Sequence, residues 1–353
     1  MGMLYFYPQN TGLRGSLPNS INTSFFVIKH HEIIVNHSGN IGIIDWYRCL
    51  QRTTDTTWAD IQHLVDTCDH IVLVSTEEFW PMHTTSRANA ETILGMLKDY
   101  SIIYHCNHHD RVQDLGVHHT WQPWLCRPPV IDYDYEPGDR DYDFASLLGR
   151  RKQIRDQIAD VLCEYNALVN YAGRDKTNID FDVSGFYSGT SQSRNNNTIY
   201  DKWNNQPSSF YQQGDNIDIS CLVPETVYSQ SHMDIISETF PRNQFTNSVL
   251  LTEKTARSIA HGRLFRTLGH NGYLGELIRC GFEPLPIWRS DHDEGTPDDC
   301  WNSFVADLNE YSGNDFEMLY DECARELQHN KNVYQYLIKH YPNQIHKHFE
   351  LIK

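Results

Sequence analysis

The chain has 353 residues, 39% of them hydrophobic and 12% aromatic, enough for two compact cores and too apolar for overall disorder. Its formal net charge of −17 at pH 7 disfavours nucleic acid as a partner, because phosphate contacts come from a basic face of Lys and Arg, although a local basic patch can hide in an acidic chain. No run of eighteen apolar residues exists, so no membrane span is expected, and nine scattered cysteines with no Cys-x-x-Cys pair speak against a secreted disulfide framework and for a reducing cytoplasm.

Residues 1–7 lack the basic-then-apolar pattern of a signal peptide and read as a first buried strand. Without secretion the glycosylation patterns at Asn22, Asn36 and Asn196 carry no weight. Strand-like runs follow at residues 25–28, 32–35, 41–44, 70–74 and 101–104. Residues 57–68 and 85–100 have helical spacing, the latter through Ala88, Ile93, Leu94 and Leu97. Strand, helix, strand at this rhythm predicts parallel βαβ units.

Residues 126–140, with Pro128-Pro129 and Pro137-Gly138, read as a linker between two cores. A second α/β unit starts at Tyr142, with a strand to Gly149, an amphipathic helix over 152–165 and a strand over 167–171. Residues 176–216 are crowded with Asn, Ser, Gln and Gly and read as a long polar insertion, either a surface excursion or a substrate-contacting loop. Helices are expected at 301–311, 315–328 and 332–339. The resulting domains are 1–135, an N-terminal α/β acceptor-side domain; 140–290, a C-terminal α/β domain for the nucleotide; and 295–353, a helical tail.

Between Ser237 and Phe282, carboxylates and an ammonium stand at the ends of short apolar runs that lead towards helices. That collects polar groups on one edge of a sheet, as in nucleotide sites. Thr252-Glu253-Lys254 sits between an apolar run and a helix. Glu253 there can accept the hydroxyls of a ribose and Lys254 can neutralise a diphosphate; equally, Thr252 can simply cap the helix while the charges stay solvated. Gly149-Arg150-Arg151-Lys152-Gln153-Ile154-Arg155 follows a strand and opens a helix, where free N–H groups and arginines attract an anion, unless the cluster is a solvated basic turn. Neither a GxGxxG fingerprint nor a Walker loop is present. The histidines at 105, 108, 109, 118 and 119 match no zinc spacing, so no metal is expected.

Tyr142-Asp143-Phe144 with Arg150 and Arg155, then Ser237-Glu238-Thr239, then Leu251-Thr252-Glu253-Lys254-Thr255, then Gly262 with Leu268-Gly269, resemble in this order the donor-binding half of the α1,3-fucosyltransferase family and of related glycosyltransferase-like proteins from bacteriophages and other viruses. The likeness covers residues 140–285. It implies a GT-B architecture, two Rossmann-like domains facing across a cleft with the nucleotide sugar in the C-terminal one. It also implies metal-independent transfer of a sugar to a hydroxyl acceptor. Carried over by residue, Arg155, with Arg150 or Arg151 assisting, holds the donor diphosphate; Glu253 binds the ribose, Lys254 the phosphate, and Glu238 faces the donor sugar. Ser-Glu-Thr stands where fucosyltransferases usually have Glu-Asn-Ser, so the sugar is left open. Arg266 interrupts its apolar run, which puts that strand at an edge or its guanidinium in the cleft.

In an inverting transfer a carboxylate takes the acceptor proton. Glu77-Glu78 follows a strand and precedes Phe79-Trp80-Pro81; Glu78 is the first candidate for the base and Asp45 the second. The acceptor is a glycan, a protein or a modified base of viral DNA. The rival from another class is a non-catalytic virion-associated binding protein of the same fold.

Overall fold

The structure of the protein is a computed structural model. It describes residues 4–7, 39–45, 55–74, 84–97, 102–105, 108–109, 118–120, 138–149, 153–171, 225–238, 248–249, 251–269, 271–288 and 295–351. The expected strands at 25–28 and 32–35 and the insertion at 176–216 lie outside these residues. It is an α/β protein whose chain divides into two compact units, Met1–Cys126 with Gln244–Leu250 and Tyr336–Lys353, and Arg127–Asn243 with Leu251–Gln335. Among the described residues no helix is long and apolar enough to cross a membrane.

The first unit contains, in chain order, β1 (Leu4–Tyr7), β2 (Ile41–Asp45), α1 (Asp55–Thr67), β3 (His70–Val74), α2 (Thr84–Leu97), β4 (Ile102–His105), β5 (His108–His109) and β6 (His118–Thr120). Strands β1-β2-β3-β4-β6 form one sheet in that order, all parallel. Every step crosses the sheet in the same direction, so right-handed connections put α1 and α2 on one face. There Ile61, Leu64 and Val65 of α1 and Ile93, Leu94 and Leu97 of α2 share a core with Ile44, Ile71 and Leu73 of the strands. A Cβ on Gly42 would stand 2.8 Å from Ile71 Cδ1 of β3 and 3.1 Å from Cys68 Sγ, just after α1, so a larger residue at this point of β2 would require these side chains to shift.

The second unit contains β7 (Tyr142–Gly149), α3 (Gln153–Leu162), β8 (Ala167–Tyr171), α4 (Glu225–Gln230) and β9 (Ser231–Ser237). After β10 (Ser248–Val249), which pairs antiparallel with β5 and belongs to the first unit, it continues through α5 (Glu253–Ala260), β11 (Leu264–Leu268), α6 (Tyr273–Arg279), α7 (Pro297–Tyr311) and the start of α8 (Phe316–Leu351). Its sheet is parallel throughout, in the order β11-β9-β7-β8. The chain thus leaves β7 in one direction and β9 in the other. Right-handed connections then put α3 and α5 on opposite faces. The contacts agree. Ser258 of α5 donates to Asp234 on one face, at 2.6 Å. On the other, Tyr165, just after α3, meets Phe144 edge-on and donates to Asn309 of α7 at 3.0 Å.

β11 is an edge of this sheet, one of the two outcomes that Arg266 allows. Its guanidinium stays inside: it is fully buried, pairs with Asp307 of α7 at 2.5 Å and lies over the Phe304 ring. The edge is covered by Trp288, whose Nε1 donates to the Phe265 carbonyl at 2.8 Å. The helices expected at 315–328 and 332–339 are one continuous helix, α8. No Gly or Pro stands between them, and Asn330 gives its side chain to both backbone groups of Glu283, at 2.7 and 2.8 Å, instead of interrupting its own helix. Within the segment 295–353, α7 and the first part of α8 pack into the second unit through Phe304, Leu308, Tyr311, Phe316 and Tyr320, all buried.

Candidate functional site

The start of α5 is held by a network of buried side chains. Thr252 is its N-cap, extended at φ −106°, and its Oγ1 accepts from Lys254 N at 3.3 Å. A capping box would use a carboxylate of the helix to accept the cap's own N–H. Here a carboxylate from the end of β9 does so. Glu238 is 1% exposed and accepts from Thr252 N at 3.2 Å, Thr252 Oγ1 at 2.6 Å and Thr255 Oγ1 at 2.7 Å. The network goes on from Thr255 Oγ1 to the Tyr273 hydroxyl at 2.6 Å, which Thr267 Oγ1 also reaches at 3.2 Å. It ties β9, α5, β11 and α6 together through buried hydroxyls.

Of the sequence-predicted residues, the structure brings Glu238, Thr252, Glu253 and Lys254 together. Thr252 does cap the helix, but the charges are not solvated. Glu253 is buried, and Lys254 Nζ donates to Glu253 Oε1 at 2.7 Å and Thr252 Oγ1 at 3.2 Å. Glu238 has most of its acceptor capacity committed to this clamp. Arg155 is on α3, the helix of the other face, and is itself buried. Arg150, Arg151 and Glu78 lie outside the described residues. Asp45 ends β2 at the carboxyl edge of the first sheet, in register with Val74. His105, His108, His109, His118 and His119 are on strands of the first unit; among the described residues no group of His, Cys, Asp or Glu is placed to hold a metal ion.

Beside α5 the sheet has a small hollow, with about 20 Å³ of enclosed space, lined by Ala145 and Leu147 of β7, Tyr228, the strand Asp234 to Ser237, and Lys254, Arg257 and Ser258 of α5. Leu147 and Ser237 are near the carboxyl ends of β7 and β9, the two strands between which the sheet order reverses. Crevices at that place are where open α/β sheets take ligands. No protein-family model matches the chain, and no curated protein matches it.

The wall of the hollow is charged. Asp234 accepts from Ser258 Oγ at 2.6 Å and Arg263 Nε at 3.1 Å. Arg263 is fully buried, lies 4.1 Å from the Tyr228 ring centroid, and also donates to the carbonyls of Tyr228 and Ser231. Burial, the largest influence, lowers its pKa; Asp234, with Tyr320 and Tyr228, together more than offsets this and raises it above the usual arginine value. Sequence reasoning passed over Asp234, Arg257, Ser258, Arg263 and Tyr273. Asp234 within the apolar run 233–236 was a usable signal, since a charge in a buried strand needs a partner. Tyr273 carried none.

Proposed function

We propose that the chain is a glycosyltransferase of GT-B type that moves a sugar from a nucleotide-sugar donor to a hydroxyl acceptor, with inversion and without a metal ion. The observation that carries this is Lys254, an ammonium on the rim of a hollow at the reversal of strand order, on the first turn of a helix. A helix N-terminus and a lysine both favour a diphosphate. Thr-Glu-Lys here is a held constellation and not three solvated side chains, which supports the resemblance at its most specific element.

In the proposed reaction the acceptor oxygen bonds to the anomeric carbon as the bond from that carbon to the diphosphate oxygen breaks. The electron pair leaves with the nucleoside diphosphate. A carboxylate of the first unit takes the acceptor proton; Glu78 is the first candidate and Asp45 the second. Lys254 stabilises the charge that develops on the leaving group, as positioned cations do in such transition states. Glu253 orients Lys254 and is the proposed ribose-binding carboxylate. Glu238 acts through Thr252, as a positioning residue for the helix start. Arg150 and Arg151 follow β7 on the neighbouring strand end in sequence and are proposed to assist at the diphosphate.

The test is a thermal-shift screen against GDP, UDP, ADP, CMP and their sugars, followed by donor hydrolysis without acceptor. A ligand that binds only the folded state raises the melting temperature by mass action. One nucleotide class should raise it, and the matching nucleotide sugar should be hydrolysed slowly. No shift with any of them contradicts the proposal; a shift without hydrolysis or transfer turns it into the non-catalytic binding protein.

A further inference from the structure

We infer that Tyr273 is a positioning residue for the Lys254 ammonium, acting through the buried hydroxyls that join α6, β11 and α5; this rests on the nucleotide-sugar reading. Tyr273 is the first residue of α6 and 1% exposed. Its ring is closely packed: a Cβ on Gly269 would stand 3.2 Å from it. That holds the hydroxyl between Thr255 Oγ1 of α5 at 2.6 Å and Thr267 Oγ1 of β11 at 3.2 Å. Thr252, Thr255 and Thr267 are buried as well, so these hydroxyls pair with one another and not with bulk water.

The hydrogens in this network have one consistent order. A hydroxyl has a single hydrogen to give, and an ionised carboxylate only accepts. Thr255 Oγ1 donates to Glu238 Oε1 at 2.7 Å. The bond between Thr255 and Tyr273 therefore uses the phenol hydrogen, and Thr267 Oγ1 donates to the phenol oxygen. From the other side Thr252 Oγ1 donates to Glu238 Oε2 at 2.6 Å. Its lone pairs are left for Lys254, which donates from N at 3.3 Å and from Nζ at 3.2 Å. Every hydrogen thus runs towards Glu238, from Thr267 and Tyr273 on one branch and from Lys254 on the other. Bonds in such a chain polarise one another. The Tyr273 hydroxyl also bridges α5 to β11, so it sets how the first turn of α5, and Lys254 with it, stands against the sheet. The Lys254 side chain is 15% exposed, which leaves it accessible to a ligand from the open side of the hollow.

The experiment is calorimetric titration of the full chain with the nucleoside diphosphate that binds best among UDP, GDP and ADP, and with the corresponding nucleoside. The proteins are wild type, Tyr273→Phe, Lys254→Ala and the double variant. Tyr273→Phe keeps the ring and removes only the hydroxyl. It should weaken the diphosphate about threefold or more and leave the nucleoside unchanged. In the Lys254→Ala background it should have no further effect, since residues that act through one another are not additive. Thr255→Val should weaken the diphosphate as Tyr273→Phe does, and Thr255→Ser, which keeps the hydroxyl, should bind as wild type does. Three results overturn the inference while the nucleotide reading stands: wild-type affinity in Tyr273→Phe, equal losses for nucleoside and diphosphate, or the same loss on top of Lys254→Ala. If wild type binds none of the three diphosphates, the nucleotide reading falls and the inference falls with it. Should Tyr273→Phe fail to fold, the Thr255 pair decides: weaker diphosphate binding in Thr255→Val with wild-type binding in Thr255→Ser supports the inference, and equal binding in the two overturns it.

Discussion

At the scale of single residues, the protein keeps its buried carboxylates by surrounding them with hydroxyls and N–H groups. Glu238 takes two threonine hydroxyls and one backbone N–H. Removing the carboxylate would leave these donors buried without it, and hydrogen bonds to a charged group are worth about 1.5–3 kcal/mol each way. Glu238→Ala should therefore lower stability by about 2–4 kcal/mol, and Thr255→Val by about 1 kcal/mol, both read by chemical denaturation. His232 gives a second expectation at this scale. It stacks on Phe316 with centroids 4.5 Å apart and rings 3° from parallel. Burial first and Arg140 next lower its pKa below 6.5, with Arg263 adding to this and Asp143 and Asp139 opposing it. The unfolded chain then takes up a proton before the folded one does. This contribution to stability is whole above about pH 6.5, is lost as the pH falls from there to the lowered folded value, and is flat below it. His232→Phe keeps the stacking and should remove that part of the acid slope in denaturation midpoints; an unaltered slope would contradict the assignment.

At the scale of elements, local signals and tertiary partners contribute separately. α7 carries its own start: Thr296 and Asp299 form a reciprocal capping box, with Thr296 Oγ1 accepting from Asp299 N at 3.2 Å and Asp299 Oδ2 accepting from Thr296 N at 2.9 Å, and Pro297 at the first position. Thr296→Ala should cost about 1 kcal/mol in denaturation experiments. Apolar spacing made β3, β7, β8 and the helices around 57–68 and 85–100 readable in advance, because each element's buried side is written in its own residues. The join of the last two helices was not readable, since Asn330 looks like a breaker until Glu283 arrives from a distant turn to use its amide. The same holds at the site. Thr252-Glu253-Lys254 announces a helix start, but nothing local says that the cap's N–H is taken by Glu238, fourteen residues earlier in the chain. Arg257, a polar residue in the middle of a helix, reads as solvent-facing until the sheet it packs on is known.

At the scale of the whole molecule, the chain crosses between its units more than once. Gln244–Leu250 returns to the first unit in the middle of the second, so that β9 and α5 are separated by a short excursion to pair with β5. Such pairing between distant parts of the chain is not encoded in any window of sequence. The two sheets also differ in a way that composition does not foretell. The first steps in one direction across β1-β2-β3-β4-β6, while the second reverses between β7 and β9. The reversal brings two strand ends, a helix start and a hollow to one place, which puts the candidate site in the second unit. A ligand that occupies it at a hundred times its dissociation constant would add about 2.7 kcal/mol to that unit's stability. The most direct test is a calorimetric titration of wild type and Lys254→Ala, side by side, with the nucleoside diphosphate that gives the largest thermal shift. Saturable binding by wild type, weakened at least tenfold in a Lys254→Ala variant that still unfolds cooperatively, is the expected result; equal affinity in the two proteins would contradict the account.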